Sequence, residues 1–478
     1  MFDFEIMNKW ASEKPNELAF ADENNALTFA QLDSLSRRTA TMLKEKGIQQ
    51  GELVSLNLPT YLEWTTSLAL HLLGAIPMQK IGTKAYPDTV FPDWLISLNL
   101  SSNISASKTL IFDEDFLEAV KKKNELLDVP GYVSSESTAR LFSTSGTTGD
   151  SKYIAMTADD LADLSMRVGS TELAGNNPVL SLFPLGMGAS YRLALRNLQL
   201  GTTLFRCGFS DYRLPKLLRM YPIKTLLGSP IQISAFLTAQ KQTGTELPNL
   251  KTIILAGSGV SQELVNRIKT QLGCRIFNDY GSAEAGFVAL KEITDNIEVG
   301  FSINQSVALQ IVDENDVEVT SPSIGQIRYK KTGMARSYLN NAVASAEVFK
   351  DDYFYPGDHG FLDESGLLHL TGRVNEVVNL SGVKMNLDKV DSVAMSQLGV
   401  VDCASFSVIS EAGIEELAVA YVSNNDFNLD RFAKALEKKL SLKPKYLIST
   451  YAIPRNNNGK ILRQELQKEF KEREKLSE

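Results

Sequence analysis

The stretch LFSTSGTTGDSK, residues 141–152, sets Ser143, Thr144, Ser145, Thr147 and Thr148 beside Gly146 and Gly149 and ends on Lys152. Such a loop can hold phosphate. Glycines that accept positive φ let backbone N–H groups converge on an anion, the hydroxyls add donors, and the lysine adds charge. Leu141 and Phe142 end an apolar approach that suits a buried strand. The spacing does not satisfy G-x-x-x-x-G-K-[ST], so a Walker loop is excluded. A solvated Ser/Thr/Gly linker would have the same composition, and the rest of the chain has to decide.

Downstream, two loops carry further chemistry-bearing residues. Lys251 to Ala256 reads as an apolar strand, Ser261 caps a helix through Leu272, and Arg275 to Asp279 reads as the next strand, which makes a βαβ unit. Gly257, Ser258 and Gly259 follow the first strand, and Tyr280, Gly281 and Glu284 follow the second. Ligands of open α/β sheets bind beyond the carboxyl ends of parallel strands.

The 478 residues suggest two to four domains, and the 43% hydrophobic and 22% charged fractions are those of an ordinary globular protein. A net charge of −8 argues against nucleic acid or an anionic membrane as a general partner, so an anionic ligand must be met by local cations. Cys207, Cys274 and Cys403 show no metal spacing or disulfide framework, which fits a reducing compartment. His71, His359 and His369 leave little material for a zinc site or a Ser-His-Asp triad. MFDFEIMNKW carries no signal-peptide pattern and no apolar run reaches a membrane span, so a cytoplasmic protein without membrane insertion is expected.

Helices and strands must position these residues. Thr28 can cap a helix stopped by Gly47, Val54–Leu58 reads as a buried strand, and Tyr61–Leu73 as a helix apolar on most faces, in which His71 is a core residue. Residues 101–140 read as a polar connection. Asp159–Val168 is expected to be helical, Val179–Leu185 a strand ending at Pro184, and Gly186–Gly201 a small-residue opening followed by a helix. Residues 297–371 alternate as strands with turns such as DENDVE and DESG, a small β-rich subdomain. Beyond a hinge-like Thr371–Gly382, helices near 387–397, 428–440 and 461–471 alternate with strands near 403–409, 416–422 and 447–452. The fold class expected is α/β: a large N-terminal domain of packed sheets, residues 1–373, with the β-rich subdomain, and a small mobile α+β domain, residues 374–478.

STSGTTGDSK (143–152), NDYGSAEAG (278–286), YPGD (355–358), LTGRVNEVVNLSGVK (370–384) and PRNNNGKILR (454–463) stand in the order of the AMP-forming adenylating enzymes. The chain resembles a whole member of that superfamily, which includes acyl-CoA synthetases, adenylation domains of peptide synthesis, and luciferases. The resemblance implies a carboxylate attacking the α-phosphorus of ATP, release of pyrophosphate, and an acyl-adenylate whose carbonyl is attacked by a thiol. Two anions must react, so cations and preorganised donors are needed at the transition state.

By this resemblance Lys460 is the catalytic lysine, Glu284 holds Mg2+, Tyr280 stacks on adenine, Asn278 meets the adenine edge, Asp358 takes the ribose diol, and Arg373 lies near ribose and phosphate. Ser143 to Gly149 and Lys152 belong to the phosphate loop, and Asp279 and Gly281 to the nucleotide site. YPGD is also good turn chemistry. Ala283 stands where a threonine is usual, and Ser151 and Tyr153 where proline and glycine are usual. The hinge position is Asn375, bracketed by Gly372 and Gly382.

For the acid, the resemblance puts pocket positions at Gly188, Ala189, Arg192, Gly257, Ser258, Gly259 and Asp279. Relatives that take α-amino acids carry Asp at the position of Gly188, so an acid without an α-amine is expected. Arg192 or Asp279 could meet a polar group on the acid; equally, the two could pair with each other or turn to solvent. VVNLSGVKMN resembles the CoA-ligase form of its motif, with Ser381 and Gly382 lining a thiol tunnel. The expected activity is an acid–CoA ligase using ATP, Mg2+ and CoA, monomeric or homodimeric. Two alternatives stay open. One is loading of the acyl group onto the phosphopantetheine of an acyl carrier protein; the other is nucleotide binding without turnover, which Ala283 would suggest.

Overall fold

The computed structural model describes residues 5–79, 86–99, 106–144, 152–166, 178–207, 213–373, 377–380, 383–409, 415–456 and 459–475. Its largest sheet has nine strands. In spatial order these are Ser302–Ile303, Gly286–Glu292, Arg275–Ser282, Thr252–Ala256, Thr225–Gly228, Val179–Ser181, Leu204–Arg206, Leu18–Ala21 and Ala26–Thr28. From Arg275–Ser282 to Leu18–Ala21 neighbouring strands run parallel, so their carboxyl ends share one edge. The interiors Leu226, Ile253, Ile276 and Phe277 are buried, the near-continuous apolar pattern of strands covered on both faces.

A second, four-stranded parallel sheet is ordered Ile76–Gln79, Leu53–Asn57, Trp94–Ser97, Lys108–Ile111. The helix Thr60–Leu73 packs with it and is buried along almost its whole length. His71 within it is fully buried between the hydroxyls of Tyr132 and Tyr191, the core role expected of it. Residues 101–140 are not a plain connection. Asp113 caps a helix, Glu114–Lys121, through the N–H of Phe116, and Phe116 and Val120 bury its inner face. Eight residues offered too short a period to read against so many charges.

The expected strand Val179–Leu185 stops at Ser181. Arg206, buried on the neighbouring strand, donates to the carbonyls of Ser181 and Phe183, a capture that competes with continued pairing. The helix Gly188–Leu200 follows and ends at Gly201 in the left-handed region. Residues 308–373 form the β-rich part, a six-stranded sheet that includes Gly325–Lys330, Asp358–Leu362 and Leu368–Arg373. The last segment has an α+β pattern: strands Val400–Ile409, Glu415–Ser423 and Tyr446–Ser449 with helices Leu387–Met395, Leu429–Leu440 and Arg463–Lys475. Val390, Leu417, Val419, Phe432 and Leu436 give it a core of its own. Among the described residues no helix is long and apolar enough to cross a membrane. The three cysteines are free and buried, and burial pushes the Cys207 and Cys274 thiols up to about 12 and 11, which makes them poor nucleophiles.

Candidate active site

The antiparallel hairpin Thr138–Thr144 and Lys152–Thr157 carries the hydroxyl-rich loop at its tip, and its register sets Thr144 opposite Lys152 and Ser143 opposite Tyr153. Thr144 is buried. Ser145, Gly146, Thr147, Thr148 and Gly149, with Ser151, lie outside the described residues, as do Asn375, Ser381 and Gly382.

Strand Arg275–Ser282 brings Asn278, Asp279, Tyr280 and Gly281 to the carboxyl edge of the large sheet, beside the exposed Gly257, Ser258 and Gly259 that end the adjacent strand. The pairing with Gly286–Glu292 slips between Tyr280 and Gly281. A side chain at Gly281 would meet the carbonyl oxygen of Gly286 at 2.2 Å, so only glycine allows this close turn. The turn is pinned by Ser282 Oγ, which accepts from the N–H of Ala285, and it presents Glu284, 7% exposed.

Two small constellations result. Tyr280 donates its hydroxyl to Oδ2 of Asp358 at 2.7 Å, and Arg373 Nε donates to Oδ1 at 3.0 Å. Antiparallel pairing puts Asp358 and Arg373 directly opposite each other. Burial, with Asp358 alongside, holds the Tyr280 phenol protonated. The second constellation centres on Glu284, whose Oε1 accepts from the Tyr338 hydroxyl at 2.8 Å and whose carbonyl accepts from Ala335 N–H. Lys152 Nζ stands 4.9 Å from the centre of the Tyr338 ring, and Leu339 N–H donates to the Tyr153 carbonyl. Residues 335–339 therefore strap the Thr138–Thr157 hairpin to Glu284.

Lys460 sits in a turn closed by two bonds with Asn456: its N–H donates to Oδ1 at 3.0 Å, and its carbonyl accepts the Asn456 N–H. Gly459 has φ +77° and lies against Ser229 and Ile231, where a side chain would meet Ser229 Oγ at 2.9 Å. Ser229 follows the strand Thr225–Gly228, so the lysine turn meets the same carboxyl edge as Tyr280 and Gly257. Ser229 is also held by a capping box with Gln232, which makes a firm seat.

Of the acid-pocket positions, Gly188 and Arg192 are buried on one helix while Ala189 is exposed. Arg192 and Asp279 form no ion pair, although each feels the charge of the other. Burial pushes the Asp279 carboxyl up to about 7, with Lys331 and Arg192 pulling it down, and burial brings Arg192 down to about 10.

Sequence reasoning missed Tyr338, which lies 54 residues from Glu284 in a segment without a recognisable motif. It also missed Gln79. That side chain accepts from Gly186 N–H at 2.7 Å and donates to Oε2 of the buried Glu63 at 2.7 Å, so it clamps the turn that opens the Arg192 helix. Nothing in the spacing of Gln79 and Gly186 signals this contact, made 107 residues apart.

A profile of the AMP-binding enzyme family matches residues 7–79 and 95–339. The chain belongs to the AMP-binding enzyme family. This adenylating enzyme is 25% identical over 488 residues to human mitochondrial acyl-coenzyme A synthetase ACSM2A, covering 93% of this chain and 82% of the relative. It is 25% identical over 504 residues to tyrocidine synthase 2 of Brevibacillus parabrevis, matching 97% of this chain but only 13% of that much longer protein. The solved o-succinylbenzoate CoA synthetase of Bacillus subtilis, bound to its acyl-adenylate, has the same fold at a TM-score of 0.82 and 19% identity, covering 97% of this chain and 98% of that one. Membership of the family makes the chain an AMP-forming ligase of the kind that activates acids.

The described residues fit the groups such an enzyme uses. No set of three or more His, Cys, Asp or Glu side chains that could cage a metal occurs among them, so a magnesium ion would depend on Glu284 together with phosphate oxygens and water. Each oxygen of the Asp358 carboxylate already accepts one bond and keeps a second lone pair for a diol hydroxyl.

Proposed function

We propose that the protein activates a carboxylic acid lacking an α-amine with ATP and transfers the acyl group to the thiol of coenzyme A. The observation that carries this is the convergence of the Asp358–Tyr280–Arg373 group and the Lys460 turn on one edge of the parallel sheet, with Glu284 presented by the turn that closes that edge. In this reading Asp358 receives the ribose hydroxyls, Tyr280 faces adenine, and Arg373, fixed by Asp358, lies near the phosphates. Thr144 and Lys152 steady the outgoing pyrophosphate from the mouth of the hairpin. Lys460 bridges the attacking carboxylate and the α-phosphate, where negative charge accumulates as the acyl–oxygen–phosphorus bond forms and pyrophosphate departs. A magnesium ion bound at Glu284 would supply further charge neutralisation on the phosphates.

Residues 374–478 act as a lid that presents Lys460 for the first step and withdraws it for the second, about the hinge at Asn375. Ser381 and Gly382 then admit the pantetheine arm. The phosphopantetheine of a carrier protein is the alternative acceptor, and the thiol that accepts the acyl group decides between the two.

The test is pyrophosphate release with ATP and Mg2+ over aliphatic, aromatic, hydroxy and dicarboxylic acids, with and without CoA. Faster turnover with CoA is expected for the preferred acid. An acid that is activated but never transferred to CoA would point to a carrier protein, and silence over a broad panel, with ATP binding intact, would sink the ligase reading.

A further inference from the structure

Arg192 is the feature of the acid pocket that ordinary packing leaves unexplained. Its side chain is 2% exposed, and its Nη1 is buried with no acceptor among the described residues. The guanidinium lies where glycines leave room: a side chain at Gly188 would meet Nη2 at 3.0 Å and Nη1 at 3.1 Å, and one at Gly286 would meet Nη2 at 3.3 Å. The Phe142 ring is 5.8 Å from its central carbon. The neighbouring carboxylates, Glu284 and Asp279, act on it only at a distance. A cation withdrawn from water without a paired acceptor is costly, and nature retains one chiefly where a ligand completes it.

We propose that Arg192 selects the acid: the substrate carries a second carboxylate, which pairs with the Arg192 guanidinium while the first is activated at the Lys460 end. This rests on the ligase reading above and names its substrate class. The position separates the two ends. The Arg192 guanidinium is buried beside Gly188 and Gly286, whereas the Lys460 turn meets the sheet edge at Ser229. A monocarboxylic acid with a hydrocarbon tail would press apolar surface against an unpaired guanidinium and lose affinity. A dicarboxylate supplies two acceptor oxygens in the planar arrangement that a guanidinium fork matches. Burial raises the Asp279 carboxyl to about 7, so near neutral pH it is only partly ionised and repels an incoming anion less than an ordinary aspartate would.

The experiment compares mono- and dicarboxylic acids of equal chain length in pyrophosphate release, for the wild type and for Arg192→Met, which keeps the volume and drops the charge. Wild type is expected to favour the dicarboxylate at least 100-fold in kcat/KM, mainly through KM, and Arg192→Met to bring the ratio within tenfold. The thermal midpoint of the ligand-free variant should be equal or higher, because an unpaired buried charge is gone; a purely structural arginine would give a lower one. Equal loss for both acid classes, or a wild-type preference for the monocarboxylates, overturns the assignment. If no acid releases pyrophosphate, the ligase reading is what fails. The assignment is then judged by thermal shift with a dicarboxylate and a non-hydrolysable ATP analogue: a shift in wild type that vanishes in Arg192→Met supports it, and no shift in wild type refutes it.

Discussion

Tyr338 donates its hydroxyl to Oε1 of Glu284 across 2.8 Å while its ring faces Lys152 Nζ at 4.9 Å, so one side chain spans the Glu284 carboxylate and the Thr138–Thr157 hairpin. A hydrogen bond to a charged acceptor contributes about 1.5–3 kcal/mol. Tyr338→Phe keeps the ring and removes that bond. Its kcat/KM for MgATP should fall about tenfold, with a raised Mg2+ requirement and a thermal midpoint lowered by a few degrees. Magnesium titrations of pyrophosphate release check this, and an unaltered Mg2+ dependence would show that Glu284 needs no orientation from Tyr338.

Lys460→Ala should reduce adenylate formation by about 100-fold or more, the usual scale for removing a group that stabilises transition-state charge. ATP binding, which the proposal assigns to the hydrogen-bonded group Asp358, Tyr280 and Arg373, should survive within a few fold. Calorimetry of ATP binding beside single-turnover pyrophosphate release separates the two. Loss of both in parallel would place Lys460 in ground-state binding instead.

What could be read from the sequence follows the range of the interactions concerned. The βαβ unit around Gly257 and Tyr280 was legible because periodicity and a capping serine are local signals, and Ser261 does cap its helix through the N–H of Leu264. The α+β pattern of the last hundred residues was legible for the same reason. Tyr338 and Gln79 were not, because each acts through one contact across many residues that no local pattern encodes. The strand ending at Ser181 rather than Leu185 was hidden likewise, since Arg206 that captures its carbonyls lies beyond an intervening helix. Arg192 was nameable as a pocket position, but its unpaired buried nitrogen emerges only once Gly188 and Gly286 stand on either side of it.

Asp279 gives a pH signature with a definite sign. Its carboxyl rises from the ordinary 3.8 to about 7 in the folded protein, so between those values the folded state holds a proton that the unfolded chain has released. Its contribution to stability is complete below the lower value and is lost as pH rises through the upper one. Relative to Asp279→Asn, which does not titrate, wild type should therefore lose up to about 1.4 kcal/mol per pH unit across that window and stay level above it. Urea unfolding of both proteins at several pH values from 4.5 to 8.5 tests this; parallel curves would mean that water reaches the carboxylate and leaves its titration ordinary.

Gly459 offers a test of the lid proposal through the backbone it adopts. It holds φ +77° directly before Lys460, and a methyl group there would stand 2.9 Å from Ser229 Oγ and 3.0 Å from the Ile231 side chain. Gly459→Ala therefore meets both a disfavoured backbone region, about 1–2 kcal/mol, and a fixed wall. The cost falls on the arrangement in which the lysine turn is seated against Ser229, and not on the core around Val390 and Phe432 that holds the last segment together. Adenylate formation should drop tenfold or more, whereas transfer from a supplied acyl-adenylate to CoA, which does not use Lys460, should stay within about twofold. Measuring the two half-reactions separately distinguishes undocking from damage: equal losses in both would show that the residue stabilises the segment itself and that the contact with Ser229 is no part of a moving lid.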